Sequence, residues 1–198
     1  MKPSVCLKDE LFDLVRTFNE NDAEYALCGS LALAAYGFVR AGEDIDLLVP
    51  RDAVNQTIEM ALLQEFEKVP ARTKSNLISH KLMKGLGVDR IRLDILELPD
   101  ELTDVWTTRQ WLSVGNIDCC MVSREGLMHM KTVSGRNQDR VDVERLVYDD
   151  DPFKPPDTKR DVDMSSQIVA ARIDLASELY ALCMFLASGK FVKESNSK

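Results

Sequence analysis

Two aspartates one residue apart, Asp44-Ile45-Asp46, open an apolar run that continues through Leu47-Leu48-Val49. In a strand alternate side chains share a face, so Asp44 and Asp46 project together while Ile45 points away. At about 4 Å, with an effective dielectric of about 20, two such charges repel by roughly 4 kcal/mol. A repulsion of that size points to a divalent cation between them, and all-oxygen ligands suit Mg²⁺. A later apolar run, Ile91-Arg92-Leu93-Asp94-Ile95-Leu96, supplies a third carboxylate at Asp94, which would complete a two-metal centre. Upstream of the pair, a short apolar run ends in Gly29-Ser30 and an alanine-rich segment follows. Gly29 lets the backbone approach a ligand closely, and Ser30 suits the N-cap of a helix over 31–38. Free backbone N–H groups and the helix dipole then favour a phosphate. A phosphate cradle beside paired carboxylates points to a nucleoside triphosphate with Mg²⁺. Taken singly, each feature has a plainer reading as a strand-to-helix turn or a solvated strand edge.

The elements that must hold these residues alternate between helix and strand. Leu11, Phe12, Leu14, Val15 and Phe18 form one stripe of a helix over 8–20. A strand over 24–28 leads to Gly29, and a strand over 43–49 carries the acidic pair up to Pro50. A helix over 52–66 follows, with Asp52 as its N-cap and Val54, Ile58, Ala61, Leu62 and Phe66 inward. Pro70 marks a break. Strands over 76–83 and 88–98 read as a hairpin through Gly85-Leu86-Gly87. A helix over 101–110 precedes strand character over 111–122, interrupted at Gly115-Asn116. Ser123 then caps a helix that Gly135 stops, and 139–148 is a further helix with Val143, Leu146 and Val147 inward. The reading divides the chain into a domain over 1–148, an acidic, proline-bearing linker over 149–165, a C-terminal helix over 166–189 and a polar tail over 190–198.

Apolar residues make up 45% of the 198 and the net charge is −8, which excludes general attraction to nucleic acid. No apolar stretch approaches the ~20 residues a membrane span needs, and Asp9 and Glu10 near the start do not fit a signal peptide. The five cysteines have no metal spacing and are odd in number, which points to a reducing cytoplasm. Basic residues gather in one place: Lys68, Arg72, Lys74, Lys81, Lys84, Arg90 and Arg92 face only Asp89 in the same segment. That segment is either a solvated hairpin or a surface facing triphosphate or RNA. His80 and His129 have no partner at ligand or triad spacing. P-loop, dinucleotide-binding and hydrolase-triad patterns are absent.

Gly29-Ser30, the helix after it, Asp44-Ile45-Asp46 and a lone Asp94 in a later strand resemble the minimal nucleotidyltransferase (polymerase-beta-type) superfamily. Ala35-Tyr36-Gly37, Arg40 and the Lys131, Gly135, Arg136, Asp139, Asp142 spacing are similar to its AbiEii/AbiGii toxin-type branch. The resemblance runs over about residues 10–148. It implies an α/β (α+β) fold with a small mixed sheet flanked by helices and a helical C-terminal part. It also implies two Mg²⁺ ions, or Mn²⁺, on Asp44, Asp46 and Asp94, with Asp94 helping to deprotonate the attacking hydroxyl. Gly29, Ser30, Arg40 and Lys131 would contact the nucleotide. The implied reaction moves a nucleoside monophosphate from an NTP to a hydroxyl of RNA (a tRNA 3′ end) or of a protein. The branch often works beside an antitoxin; oligomeric state stays open.

Arg40 reads equally well as an ion-pair partner of the acidic cluster. Arg136, Asp139 and Asp142 read first as a helix-turn ion pair and cap. The chain departs from related sequences at Gly42, where they often carry Thr. That departure keeps open a silent nucleotide-binding or regulatory module on the same fold. A partner-binding protein gripping through 166–186 is a further alternative, and a small-molecule acceptor remains within the enzyme class.

Overall fold

A computed structural model describes residues 6–38, 44–70, 79–87, 90–114, 116–148 and 190–192. Helix α1 (Leu7–Glu20) buries Leu7, Leu11, Leu14, Val15 and Phe18, the i, i+4, i+7, i+8 stripe of an amphipathic helix. Strand β1 (Ala26–Cys28) is buried throughout and runs directly into α2 (Gly29–Ala35). Strand β2 (Asp44–Val49) is followed by α3 (Val54–Leu63) and the short β3 (Glu67–Val69). Strands β4 (Ser79–Lys84) and β5 (Ile91–Glu97) come next. A 3₁₀ turn at Asp100–Leu102 enters α4 (Thr103–Thr107). The hairpin β6 (Gln110–Val114) and β7 (Ile117–Met121) precedes α5 (Arg124–Ser134) and α6 (Asn137–Tyr148). A last strand, β8 (Lys190–Val192), lies against β6.

The eight described strands form one mixed sheet in the order β3-β4-β5-β2-β1-β7-β6-β8. The β2–β5 and β1–β7 pairs are parallel and the others antiparallel. The alternation of burial along β2 and β5 gives the sheet two unlike faces around its centre. Ile45, Leu47, Leu82, Leu93 and Ile95 point to one face and are buried in the main core. Lys84 shares that face and reaches Glu10 of α1, so α1 covers it. Asp44, Asp46, Arg92, Asp94 and Lys81 share the other face, which stays partly open. Side α2 packs against β1, β2 and α5. No described helix is long and apolar enough to cross a membrane.

The mixed sheet, its flanking helices and the helical run after β7 agree with the fold read from the sequence. Several details differ. Helix α2 begins at Gly29, because Cys28 is the extended residue before it; Ser30 sits inside the first turn and is not the cap. Helix α3 starts after Ala53 with no side-chain cap, so the exposed Asp52 lies outside it, and Leu62 is exposed. Its end at Leu63 frees Phe66 to enter the core and lets Glu67–Val69 pair with β4 as an unforeseen edge strand. The expected helix over 101–110 is only a 3₁₀ turn and α4, since Gln110 already belongs to β6. Val147 points to solvent, whereas Leu146 is buried. Lys190–Val192 is a strand rather than part of a polar tail; Phe191 and Val192 suit one, and β6 offers an edge to pair with. The linker over 149–165 and the helix over 166–189 lie outside the described residues.

Candidate active site

Strand register sets the site. Parallel pairing of β2 with β5 places Asp46 beside Asp94 and Asp44 beside Arg92. Antiparallel pairing puts Lys81 beside Asp94, and Cys28 beside Asp46. A row Lys81, Asp94, Asp46, Cys28 therefore crosses four adjacent strands on the open face, with Asp44 and Arg92 in a neighbouring row. Directly opposed side chains in a sheet are close enough to interact strongly.

Each carboxylate meets a different environment. Asp44 accepts both arms of the Arg92 guanidinium, with Nε 2.7 Å from Oδ1 and the second nitrogen on Oδ2. Asp94 accepts Lys81 Nζ at Oδ2, 2.7 Å away, while its Oδ1 is buried and has no hydrogen-bond partner among the described residues. Asp46 is pushed up to about 7, first by burial and then by the charges of Asp94 and Asp44, against the pull of Arg136 and Lys131. The Cys28 thiol beside it is also pushed up, chiefly by burial and next by Asp46.

Gly29 closes the site from the side of α2. Its φ is +66°, in the left-handed region that costs an L side chain roughly 1–2 kcal/mol. A Cβ there would also overlap Asp46 Oδ2 and lie 2.6 Å from its Cγ. Only glycine lets the β1–α2 turn rest against this carboxyl. Ser30 follows it, partly buried, at the head of α2. Arg40 and Gly42 lie outside the described residues.

Lys131 belongs to a second cluster between α5 and α6. Its side chain is 7% exposed, and Nζ donates to Asp142 Oδ2 at 2.7 Å and to Asp139 Oδ1 at 3.4 Å. Asp139 also accepts Arg136 Nε at 2.6 Å and Ser134 Oγ at 2.7 Å. Burial alone would raise the Asp139 carboxyl; the Arg136 and Ser134 hydrogen bonds and the Lys131 charge outweigh it and hold it below its ordinary value. Local sequence explains the geometry. Ser123 Oγ accepts from Gly126 N to start α5, and Gly135, with φ +65°, ends it and turns the chain into α6. The ion pair expected of Arg136 and Asp139 is present, and Lys131 joins it by bridging Asp139 and Asp142. The two histidines do have carboxylate partners, His80 on Glu97 at 2.8 Å and His129 on Asp104 at 3.0 Å.

Chemically, three carboxylates on one face and an orphaned Asp94 Oδ1 suit a hard divalent cation. As they stand, no group of three or more such side chains among the described residues is gathered closely enough to hold one. Lys81 and Arg92 hold two of the three. The period-two spacing of Arg92 and Asp94 already puts Arg92 on the carboxylate's own face in the sequence, whereas Lys81 comes to Asp94 only through the pairing of β4 with β5.

No protein-family model and no curated protein matches the chain. The fold matches that of the lincosamide antibiotic adenylyltransferase LnuA in its lincomycin-bound crystal structure. The TM-score is 0.51 at 16% identity, covering 74% of this chain and 99% of that one. A Thermotoga maritima protein described as a nucleotidyltransferase aligns with TM-score 0.49 and 15% identity over 69% of this chain and 89% of its own. ANT(2")-Ia in complex with adenylyl-2"-tobramycin aligns with TM-score 0.46 and 12% identity over 91% and 97%. On the likeness to LnuA, the chain has a nucleotidyltransferase-like fold.

Proposed function

We propose that the protein is a metal-dependent nucleotidyltransferase that moves a nucleoside monophosphate from an NTP to an acceptor hydroxyl. The observation that carries this reading is the in-register placement of Asp46 and Asp94, with Gly29 pressed against Asp46 at the head of α2. Asp44, Asp46 and Asp94 would hold Mg²⁺ or Mn²⁺, which when bound polarises the α-phosphate and offsets charge on the departing pyrophosphate. The backbone at Gly29 and Ser30 offers N–H groups to the phosphates, and the glycine leaves room for them to approach. Asp94 Oδ1, free of protein donors among the described residues, takes the proton of the acceptor hydroxyl. Lys131 fixes α5 on α6 through Asp139 and Asp142, and its charge lowers the cost of ionising Asp46. Arg40, outside the described residues, would be a further nucleotide contact.

The acceptor follows from the sequence resemblance: an RNA 3′ end, as in tRNA, or a protein hydroxyl, in a protein that works beside an antitoxin. The test incubates the protein with Mg²⁺ and each α-³²P-labelled NTP in turn, with total RNA, total protein or small-molecule alcohols as acceptors. Label should move to one discrete RNA or protein species and vanish in Asp44→Ala/Asp46→Ala. Transfer that survives the double substitution would falsify the mechanism. Transfer only to small alcohols would reassign the acceptor, and nucleotide binding with no transfer to anything would leave a silent module.

A further inference from the structure

The basic segment divides by face. Strands β3, β4 and β5 carry four basic residues, Lys68, Lys81, Lys84 and Arg92. Lys84 lies on the helix-covered face, with Nζ 2.7 Å from Glu10 and 5.7 Å from the centre of the Phe66 ring. Lys68 stands opposite the buried Leu82 and so belongs to that same face. Lys81 and Arg92 alone of the four share the face of Asp44, Asp46 and Asp94. Both are committed to those carboxylates, Lys81 to Asp94 and Arg92 to Asp44.

The two partners of each pair are not equally free to move. Lys81 is 27% exposed against 14% for Asp94, and Arg92 is 44% exposed against 27% for Asp44. Each cation ends a long flexible stem near water, while each carboxylate is fixed one carbon from a central strand. A competing cation would therefore displace the lysine and the arginine, not the aspartates. Asp94 Oδ1 already lacks a protein donor among the described residues, so the carboxylate is only half satisfied by Lys81. Once displaced, an ammonium and a guanidinium fork beside the carboxylates have the chemistry to take phosphate oxygens.

We propose that Lys81 and Arg92 are resident counter-ions of the site, which hold Asp94 and Asp44 until a metal–triphosphate displaces them and which then bind the triphosphate. The inference rests on the nucleotidyltransferase reading above. It makes two opposite claims for one side chain: Lys81 opposes the metal when it binds alone, and supports the nucleotide when both are present. A lysine that merely stiffened the sheet would do neither.

Mn²⁺ binding to the full-length protein, followed by the electron paramagnetic resonance of the free ion, reads the first claim without any turnover. Lys81→Met should tighten binding of Mn²⁺ alone by roughly two- to fivefold, the range expected for removing a partly exposed competing pair. Arg92→Met should act in the same direction with a smaller factor, because its pair is the more exposed. With the α,β-methylene analogue of ATP present, both variants should bind the analogue at least threefold more weakly at saturating Mn²⁺, by estimate from the same pair strength. Lys81→Arg should recover most of that nucleotide affinity. Circular dichroism and melting of each variant show that it is folded, and Lys81→Gln replaces Lys81→Met where the latter is not.

Mn²⁺ affinity that is unchanged or weaker in the folded Lys81 variants overturns the proposal while leaving the site reading intact. Undiminished analogue binding does the same. Asp46→Asn is the control for the reading itself. If it binds Mn²⁺ as well as the unaltered chain, or if the unaltered chain binds none, the metal site is wrong and the proposal falls with it.

Discussion

Two clusters of carboxylates and cations lie close together in this protein, and they are built on opposite terms. Between α5 and α6, two cations meet two acids. Asp139 receives Lys131, Arg136 and Ser134, and its carboxyl is held below the ordinary range. On the open face of the sheet the acids outnumber the cations. Asp44 has Arg92 and Asp94 has Lys81, while Asp46 is forced up to about 7 by burial and by its two neighbours. The first arrangement is what a structural ion pair needs, since a buried charge is tolerated only when it is paired and hydrogen-bonded. The second is unfavourable for folding and is suited to receiving a cation from outside. The contrast separates a fastening from a candidate site.

The largest test of that contrast is at the fastening. Lys131→Met leaves Asp139 and Asp142 without the cation they share, in a place where both are almost fully buried. The expected loss is about 3–5 kcal/mol in urea unfolding, the cost of stranding a buried charge. A loss below about 1 kcal/mol would mark the cluster as no more than a surface pair.

Asp46→Asn should do the reverse. Because the folded Asp46 carboxyl titrates near 7 and the unfolded one near 3.8, the unfolded chain holds fewer protons between those values. Stability of the unaltered protein therefore falls as pH rises from about 4 to about 7, by at most roughly 4 kcal/mol. Asp46→Asn should melt at a higher temperature than the parent at pH 8 and at nearly the same temperature at pH 4. A parent whose stability is flat across that window would remove the electrostatic distinction between the two clusters. For Asp139 the sign is opposite: its contribution is present above its ordinary value and is lost as pH falls through the lower folded one.

Gly29→Ala joins the two effects at the edge of the site. The left-handed backbone costs about 1–2 kcal/mol, and the new methyl overlaps Asp46. Urea unfolding should show a loss of about 2 kcal/mol or more, with nucleotide affinity reduced as Asp46 is pushed aside. The smallest effect belongs outside both clusters. His129→Ala removes an exposed contact to Asp104 and should change stability by less than about 0.5 kcal/mol.

Much of the site was legible from local spacing. Asp44 and Asp46 share a face because a strand has period two, and Gly29 was marked by the turn it ends. Ser123 and Gly135 carried their cap and stop in plain view, and both are realised. The misreadings have equally local causes. Asp52 looked like a cap but stands in the turn before α3, and Ser30 lies two residues past Cys28, the cap position of α2, because the helix already begins at Gly29. Strand β3 escaped notice because Glu67-Lys68-Val69 has no apolar period; pairing with β4 makes it a strand.

By itself the sequence determined which residues could do chemistry and which way each faces on its own element, because side-chain direction within a helix or strand is fixed by backbone period. It could not determine neighbours. That Asp46 meets Asp94, that Lys81 meets Asp94 and that Arg92 meets Asp44 depend on which strands pair and in what register. Those choices are made by burying Ile45, Leu47, Leu93, Ile95 and Leu82 together on the opposite face of the sheet. A slip of one residue would turn that apolar set to solvent. The core thus fixes the register, and the register brings the charges together.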